Sequence, residues 1–250
     1  MRTRRPGPAG KSLQYGRGLF ILKFMTKDYG QFCGVAKAAS TLGERWALLV
    51  VRDLSIGPRR FNELHEGLPG IATSLLTTRL RELEAAGVVE RRVAALPGRG
   101  ITYALTGYGQ GLLPALDALG RWGAQRMREP EPADVVTDSS LAAALRAAFQ
   151  QQRPVETPVS FQIHVGPASA WAGISADGVE VGAGTSASEP DLVLRASPEF
   201  RLVLAGEVSA EEALRSGVIE VEDATWAEAN LRAFTEAFQV PLDDRQPRQG

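Results

Sequence analysis

The chain has 250 residues, 44% of them hydrophobic and 23% charged, enough for one large or two ordinary packed domains. Its single cysteine, Cys33, excludes an intrachain disulfide and fits a reducing cytoplasm, and no apolar run approaches the ~20 residues that span a bilayer. The formal net charge of −1 conceals an asymmetry: residues 1–29 carry seven basic and one acidic side chain, residues 30–127 twelve and eight, and residues 128–250 nine and twenty, so only the first half is suited to meet a polyanion.

Residues 1–27 begin rich in Gly, Pro and Arg and show no periodic apolar pattern. They read either as a disordered arm adding nonspecific phosphate contacts, or as the product of a start codon placed too early, with Met25 the alternative start. The run Leu19-Phe20-Ile21-Leu22 is too short for a signal sequence, and no small-residue cleavage site follows it. Residues 28–56 hold two helices, a short one over 35–42 ended by Gly43 and a strongly apolar one over 44–54, broken by Ile56-Gly57-Pro58. A third, short helix begins at Arg59, with Phe61 and Leu64 spaced to pack inward and Arg59 and Arg60 at its start as candidate DNA contacts.

The informative stretch comes after the turn Leu68-Pro69-Gly70. Residues 71–86 read as one helix. At ~100° per residue, Thr73, Ser74, Thr77, Thr78 and Arg81 fall on one side, and Ala72, Leu75, Leu76, Leu80 and Leu83 on the other. The polar side has no carboxylate at its centre and suits a DNA major groove, where hydroxyls and Arg meet base edges and phosphates. Arg79 projects toward the apolar side, so it should snorkel or pair with a carboxylate such as Asp53. An ordinary amphipathic surface helix would show the same stripe. Residues 87–106 decide between the two: Gly87 as a C-cap, a strand over 88–93, a turn over 95–100 with Arg99 at its tip, and a returning strand over 101–106. Helix, hairpin and cationic tip make a winged helix-turn-helix, with Arg91, Arg92 and Arg99 holding the wing on the DNA backbone or in a narrow minor groove.

Residues 106–127 form the last helix of this unit, with Leu112, Leu113, Leu116, Leu119 and Trp122 at helical spacing. Gly107, Gly109, Gly111 and Pro114 predict a late start or a kink, and Gly120 and Gly123 would admit another backbone. One winged domain cannot bury that stripe alone. A two-fold dimer contact and packing on a second domain of the same chain both remain open.

Several motifs in order resemble the HxlR family of bacterial winged-helix regulators: a Cys shortly after Tyr-Gly, then Gly-Glu-Arg-Trp at 43–46, Arg-Asp-Leu at 52–54, Arg-Phe-Asn-Glu-Leu at 60–64, the LxxRLxEL pattern at 76–83, and Tyr-Ala-Leu-Thr at 103–106 before a helix. The resemblance spans about residues 28–122, with Gly34 and Ser74 standing where proline and lysine are common. It implies a homodimeric, cytoplasmic transcription factor responsive to a ligand or to redox state; the expected partner is double-stranded DNA, and the apolar stripe of the last helix is the expected dimer contact.

A proline-rich acidic linker over 128–138 leads to a second domain over 139–240, and 241–250 read as a disordered tail. Ser139 or Ser140 could cap a helix reaching about Gln152. Strands follow over 159–165, 170–175, 179–181 and 191–196, with Asp177-Gly178 a hairpin signal. Helices over 197–205 and 210–216, a strand over 218–222 and a helix over 226–238 complete an α+β order. That order resembles the sterol-carrier-protein fold, which implies a sheet and helices around an apolar cavity for a lipid-like or aromatic effector. Candidate lining residues are Phe161, Ile163, Trp171, Leu194, Phe200, Leu204, Trp226, Phe234 and Phe238, most of which, taken singly, read as plain core. The domain could instead serve as a lipid carrier or a dimerisation block without effector control.

No catalytic constellation is legible, and His65 and His164 form no ligand cluster with Cys33, so the sequence predicts neither an enzyme nor a metal or cofactor site. Cys33 stands near the start of the first helix, a position that could lower its thiol pKa, and the family resemblance adds redox sensing as an alternative role. A buried, inert thiol is the competing reading. With no partner cysteine, oxidation would need a disulfide between subunits or a small-thiol adduct.

Overall fold

The computed structural model describes residues 29–93, 100–127, 131, 133–150, 157–222 and 227–240. The predicted N-terminal arm with Met25, most of the wing tip including Arg99, the start of the linker, the expected helix end at Gln152, Trp226 and the C-terminal tail lie outside the described residues.

The N-terminal region opens with α1 (Gly34–Leu42) and α2 (Ala47–Leu54). The expected start of the second helix at residue 44 is not observed. Trp46 precedes it in the left-handed conformation, the single non-glycine residue with positive φ among the described residues, and its half-buried indole packs on the N-terminal core. Arg59 and Arg60 do not begin a helix. They form the short strand β1 (Arg59–Arg60) against Tyr103 and Thr102, and α3 (Phe61–Gly67) starts only after it, with Glu63 Oε2 accepting from the Arg60 N–H at 2.7 Å. Helix α4 (Thr73–Ala85) is shorter than expected at each end and buries Leu76, Leu80 and Leu83. It stops at Gly87, φ 72°, where the Gly87 and Val88 amides return to the Glu84 and Leu83 carbonyls.

Strands β2 (Val89–Val93) and β3 (Ile101–Leu105) pair antiparallel with Arg91 opposite Tyr103 and Val93 opposite Ile101. The wing hairpin is therefore present, with β1 added on its other side. The expected last helix divides where its glycines and proline crowd: α5 (Gly107–Gln110), capped by Thr106, then α6 (Leu113–Ala124) with Pro114 in its first turn. Val50, Val51, Leu54, Leu64, Leu76, Leu80, Leu83 and Leu105 form one buried cluster, with Leu112, Leu113 and Leu116 of α6 against it.

The sheet-rich region begins with α7 (Asp138–Ala148). Its cap is Thr137, not Ser139 or Ser140. Thr137 Oγ1 accepts from the Ser140 amide at 3.2 Å, while Ser140 Oγ accepts from the Thr137 amide at 2.8 Å. The remaining elements are β4 (Val159–Val165), β5 (Ala168–Ser175), β6 (Gly178–Ala183), β7 (Leu192–Ala196), α8 (Phe200–Leu204), α9 (Ala210–Ser216), β8 (Ile219–Glu222) and α10 (Ala227–Ala237). The sheet order is β6-β5-β4-β7-β8, antiparallel except between β4 and β7. A second buried cluster joins one sheet face to α7, α8 and α10, centred on Phe161, Phe234 and Phe238, with ring centroids 4.7 to 6.1 Å apart.

The two regions meet through α7. Arg146 holds Asp117 of α6 at 2.9 Å and donates to Ser55 Oγ at 2.9 Å and the Ser55 carbonyl at 3.3 Å at the end of α2. Arg121 of α6 donates to the Ala147 carbonyl at 3.1 Å, placing a cation on the C-terminal end of α7. A Cβ at Gly120 would lie 3.4 Å from the Ala147 Cβ, at the edge of ordinary van der Waals contact, so the two helices approach closely here. Packing on the second region thus occupies one side of α6. Because the Arg146 and Asp117 side chains are only 12% and 18% exposed, Arg146→Ala strands a mostly desolvated carboxylate. We expect it to lower stability by about 2 kcal/mol in urea unfolding and to speed proteolysis near residues 128–137. An unchanged midpoint and unchanged cleavage would show that this contact does not hold the regions together.

Candidate nucleic-acid interface

Helix α4 turns its leucines inward, and the opposite side is the one the sequence singles out. Thr73, Ser74, Thr78 and Arg81 are exposed and Thr77 is half-buried. The structure therefore brings all five onto one outward surface. The Thr77 hydroxyl donates to the Thr73 carbonyl and the Thr78 hydroxyl to the Ser74 carbonyl, each at 2.9 Å. Thr73 Oγ1 lies 3.4 Å from Nε2 of His65 on α3, a neighbour that residue spacing gave no means of finding.

Carboxylates sort the arginines of this face. Arg79 pairs with Glu82 and, at 3.4 Å, with Glu44. It does not pair with Asp53, because Arg52 already holds that carboxylate at 2.7 Å. Asp53 is 1% exposed, and burial raises its carboxyl pKa against the opposing pull of the Arg52 charge. Arg91 meets Glu84 at 3.1 Å and lies 5.6 Å from the Tyr103 ring centre, and Arg92 meets Glu90 at 2.7 Å. Arg81 has no carboxylate partner among the described residues. Arg59 is half-buried and Arg60 exposed on β1, beside the wing, and Arg60 is also the N-cap residue of α3, so it does stand at the helix start.

The candidate effector residues sort differently. Phe161, Ile163, Leu194, Phe200, Leu204, Phe234 and Phe238 are buried together between sheet and helices. Trp171 lies on the opposite sheet face, half-buried, with its indole over Gly182, where a Cβ would come within 2.2 Å of the ring. Gln162 on that same face is 3% exposed, donates to the Ala170 and Gly184 carbonyls and accepts from the Ser186 amide. It ties the following loop to the sheet, a structural role that sequence spacing did not reveal.

Cys33 is exposed at the N-cap of α1, so the buried-thiol reading is corrected. Cys33 makes no side-chain cap hydrogen bond, and the nearby backbone amides of Ala36 and Val35 hold the thiol pKa below its ordinary value. Among the described residues no group of three His, Cys, Asp or Glu side chains could hold a metal ion, and no helix is long and apolar enough to cross a membrane.

A helix-turn-helix with a hairpin wing and an outward face of hydroxyls and arginine defines the winged-helix class of DNA-binding proteins. The model of HxlR-like helix-turn-helix proteins matches residues 41–131. An uncharacterized HTH-type transcriptional regulator of Methanothermobacter thermautotrophicus is 39% identical over 97 residues, covering 38% of this chain and 73% of that protein. The HTH-type transcriptional regulator YodB of Bacillus subtilis is 37% identical over 101 residues, covering 40% of this chain and 88% of YodB. Among solved structures, quinone-bound YodB from B. subtilis matches at 36% identity and a TM-score of 0.32, covering 36% of this chain and 96% of that one. The chain belongs to the HxlR-like helix-turn-helix family and is a transcriptional regulator.

The geometry at Cys33 has a direct readout. The pH midpoint for alkylation by iodoacetamide should lie lower in the native protein than in the urea-unfolded chain, because the helix-start amides favour the thiolate only when folded. Coincident midpoints would show that these amides do not act on the sulfur.

Proposed function

We propose that the protein is a homodimeric regulator that reads an operator with α4 and is controlled by a small apolar molecule in a separate effector domain. The observation that carries DNA reading is the outward face of α4, on which Arg81 alone among the α4 and β2 arginines lacks a carboxylate partner within the described residues. Thr73, Ser74, Thr77, Thr78 and Arg81 are the base or phosphate contacts in this reading. Arg59, Arg60, Arg91, Arg92 and Arg99 track the backbone. Glu84 and Glu90 release Arg91 and Arg92 readily, since exposed pairs of this kind hold by only about 0–1 kcal/mol.

Dimerisation uses α6. One side lies on the N-terminal core and another on α7, while Leu119 and Trp122 stay 47% and 68% exposed. Exposed apolar side chains on a helix already packed on two sides fit a two-fold contact. The effector reading places domain boundaries at about residues 28–127 and 139–240, in line with the two separate buried clusters. The run β7, α8, α9, β8, α10, with Gly217 before β8, is the order that the sterol-carrier resemblance implies. A second reading, a thiol switch at Cys33, is favoured by the exposure of its sulfur and the amides around it.

A footprint at physiological salt on DNA upstream of the gene should show two protected half-sites one or two helical turns apart. Arg81→Ala should cost about 1–3 kcal/mol of specific binding and leave nonspecific binding nearly intact. Uniform weakening on all sequences would reassign Arg81 to phosphate. Trp122→Glu should turn the dimer into a monomer in sedimentation, and a persistent dimer would move the interface off α6. Organic extraction of the purified protein should yield an apolar compound, and mild oxidation should leave operator affinity unchanged unless the Cys33 reading holds.

A further inference from the structure

We propose that α4 reads its half-site through acceptor oxygens and methyl groups, so that Thr77 and Thr78 select A·T pairs next to a guanine taken by Arg81. The inference rests on the proposed entry of α4 into the major groove. A threonine hydroxyl owns one proton. Thr77 spends it on the Thr73 carbonyl and Thr78 on the Ser74 carbonyl, both at 2.9 Å. Thr78 is exposed and Thr77 half-buried on this face, and each side chain keeps an oxygen lone pair and carries a γ-methyl group.

The major groove answers those two features unequally. Amino donors stand at adenine N6 and cytosine N4, and the apolar feature is the thymine C5-methyl. An A·T pair carries an amino donor and a methyl together, in either orientation. A C·G pair likewise carries one amino donor and two acceptors, but it has no methyl group for the threonine γ-methyl to pack on. The committed protons call for an amino donor, which both pairs have, and the two γ-methyl groups favour A·T pairs.

Arg81 supplies the opposite polarity. It has donors only, no carboxylate partner among the described residues, and lies on the same face as Thr77 and Thr78. Its natural partner is the paired acceptors of guanine. The rise from residue 78 to residue 81 is about 4.5 Å, close to one base step of about 3.4 Å, so guanine adjoins the A·T pairs. Arg79, the other arginine of α4, is turned to Glu82 and Glu44 and adds no donor to this face.

The test selects sites for the full-length protein from a random duplex pool, then replaces single thymines of the enriched site by uracil, which removes only the methyl. The expected half-site has A·T pairs beside a G. Uracil at those pairs should weaken wild-type binding about fourfold. Thr77→Ser and Thr78→Ser keep the acceptor and lose the methyl, so in the matching variant the uracil penalty should vanish, with helical circular dichroism unchanged. A specific site without A·T pairs, or one indifferent to uracil, would overturn the base chemistry while leaving groove recognition by α4 intact. No enrichment over nonspecific competitor would overturn both.

Discussion

Helix α7 is buried on two sides, and the arrangement of the molecule depends on that. Leu141, Ala142, Leu145 and Ala148 go into the sheet-rich core, while Arg146 and Ala147 face α6 and the end of α2. A helix between a sheet and another helix must be thin, and α7 has alanine at five of its eleven positions. Small side chains bring the backbones close, and one arginine then reaches both Asp117 and Ser55. A desolvated arginine with several acceptors gives the contact a definite geometry. Displacement of α7 by the sheet would be felt at α6 and α2 together.

The candidate DNA face arises by subtraction. The N-terminal region has a surplus of arginines, but Glu44, Glu82, Glu84 and Glu90 take up several of them. Arg79 is largely buried by its pairs and helps fix α4, whereas Arg91 and Arg92 are about half exposed. In the proposed DNA-bound state a phosphate would displace the weak surface pairs and leave the Arg79 pairs in place. The acid partners thus divide cations that hold the fold from cations open to a polyanion.

The sequence displayed whatever periodicity governs. The leucine stripe of α4, the alternation in β2 and β3, and the break of the last helix at Gly111 and Pro114 are local properties, and the structure obeys them. Contacts between distant residues were not legible. Arg59 and Arg60 became a strand because β3 offered a free edge more than forty residues later, which a helical spacing of Phe61 and Leu64 cannot express. Arg79 went to Glu82 and Glu44 because Arg52 had already claimed Asp53. The cap of α7 moved to Thr137 since three neighbouring hydroxyls satisfy the same local rule, and only backbone geometry separates them. In the sheet-rich region Phe161, Phe200, Phe234 and Phe238 are buried as their spacing suggests, but spacing could not tell that the half-buried Trp171 lies on the other face from Phe161.

The docking of α7 has a consequence for descent. The family match ends at residue 131, before α7 begins at Asp138. Ser55, Asp117, Gly120 and Arg121 lie inside the matched segment, yet their side chains or their lack of one answer to a helix beyond it. In this chain these four positions therefore carry contacts to a helix that lies beyond the segment the family model matches. They should drift in step with Arg146 and Ala147, while the inward leucines of α4 drift with the winged-helix core.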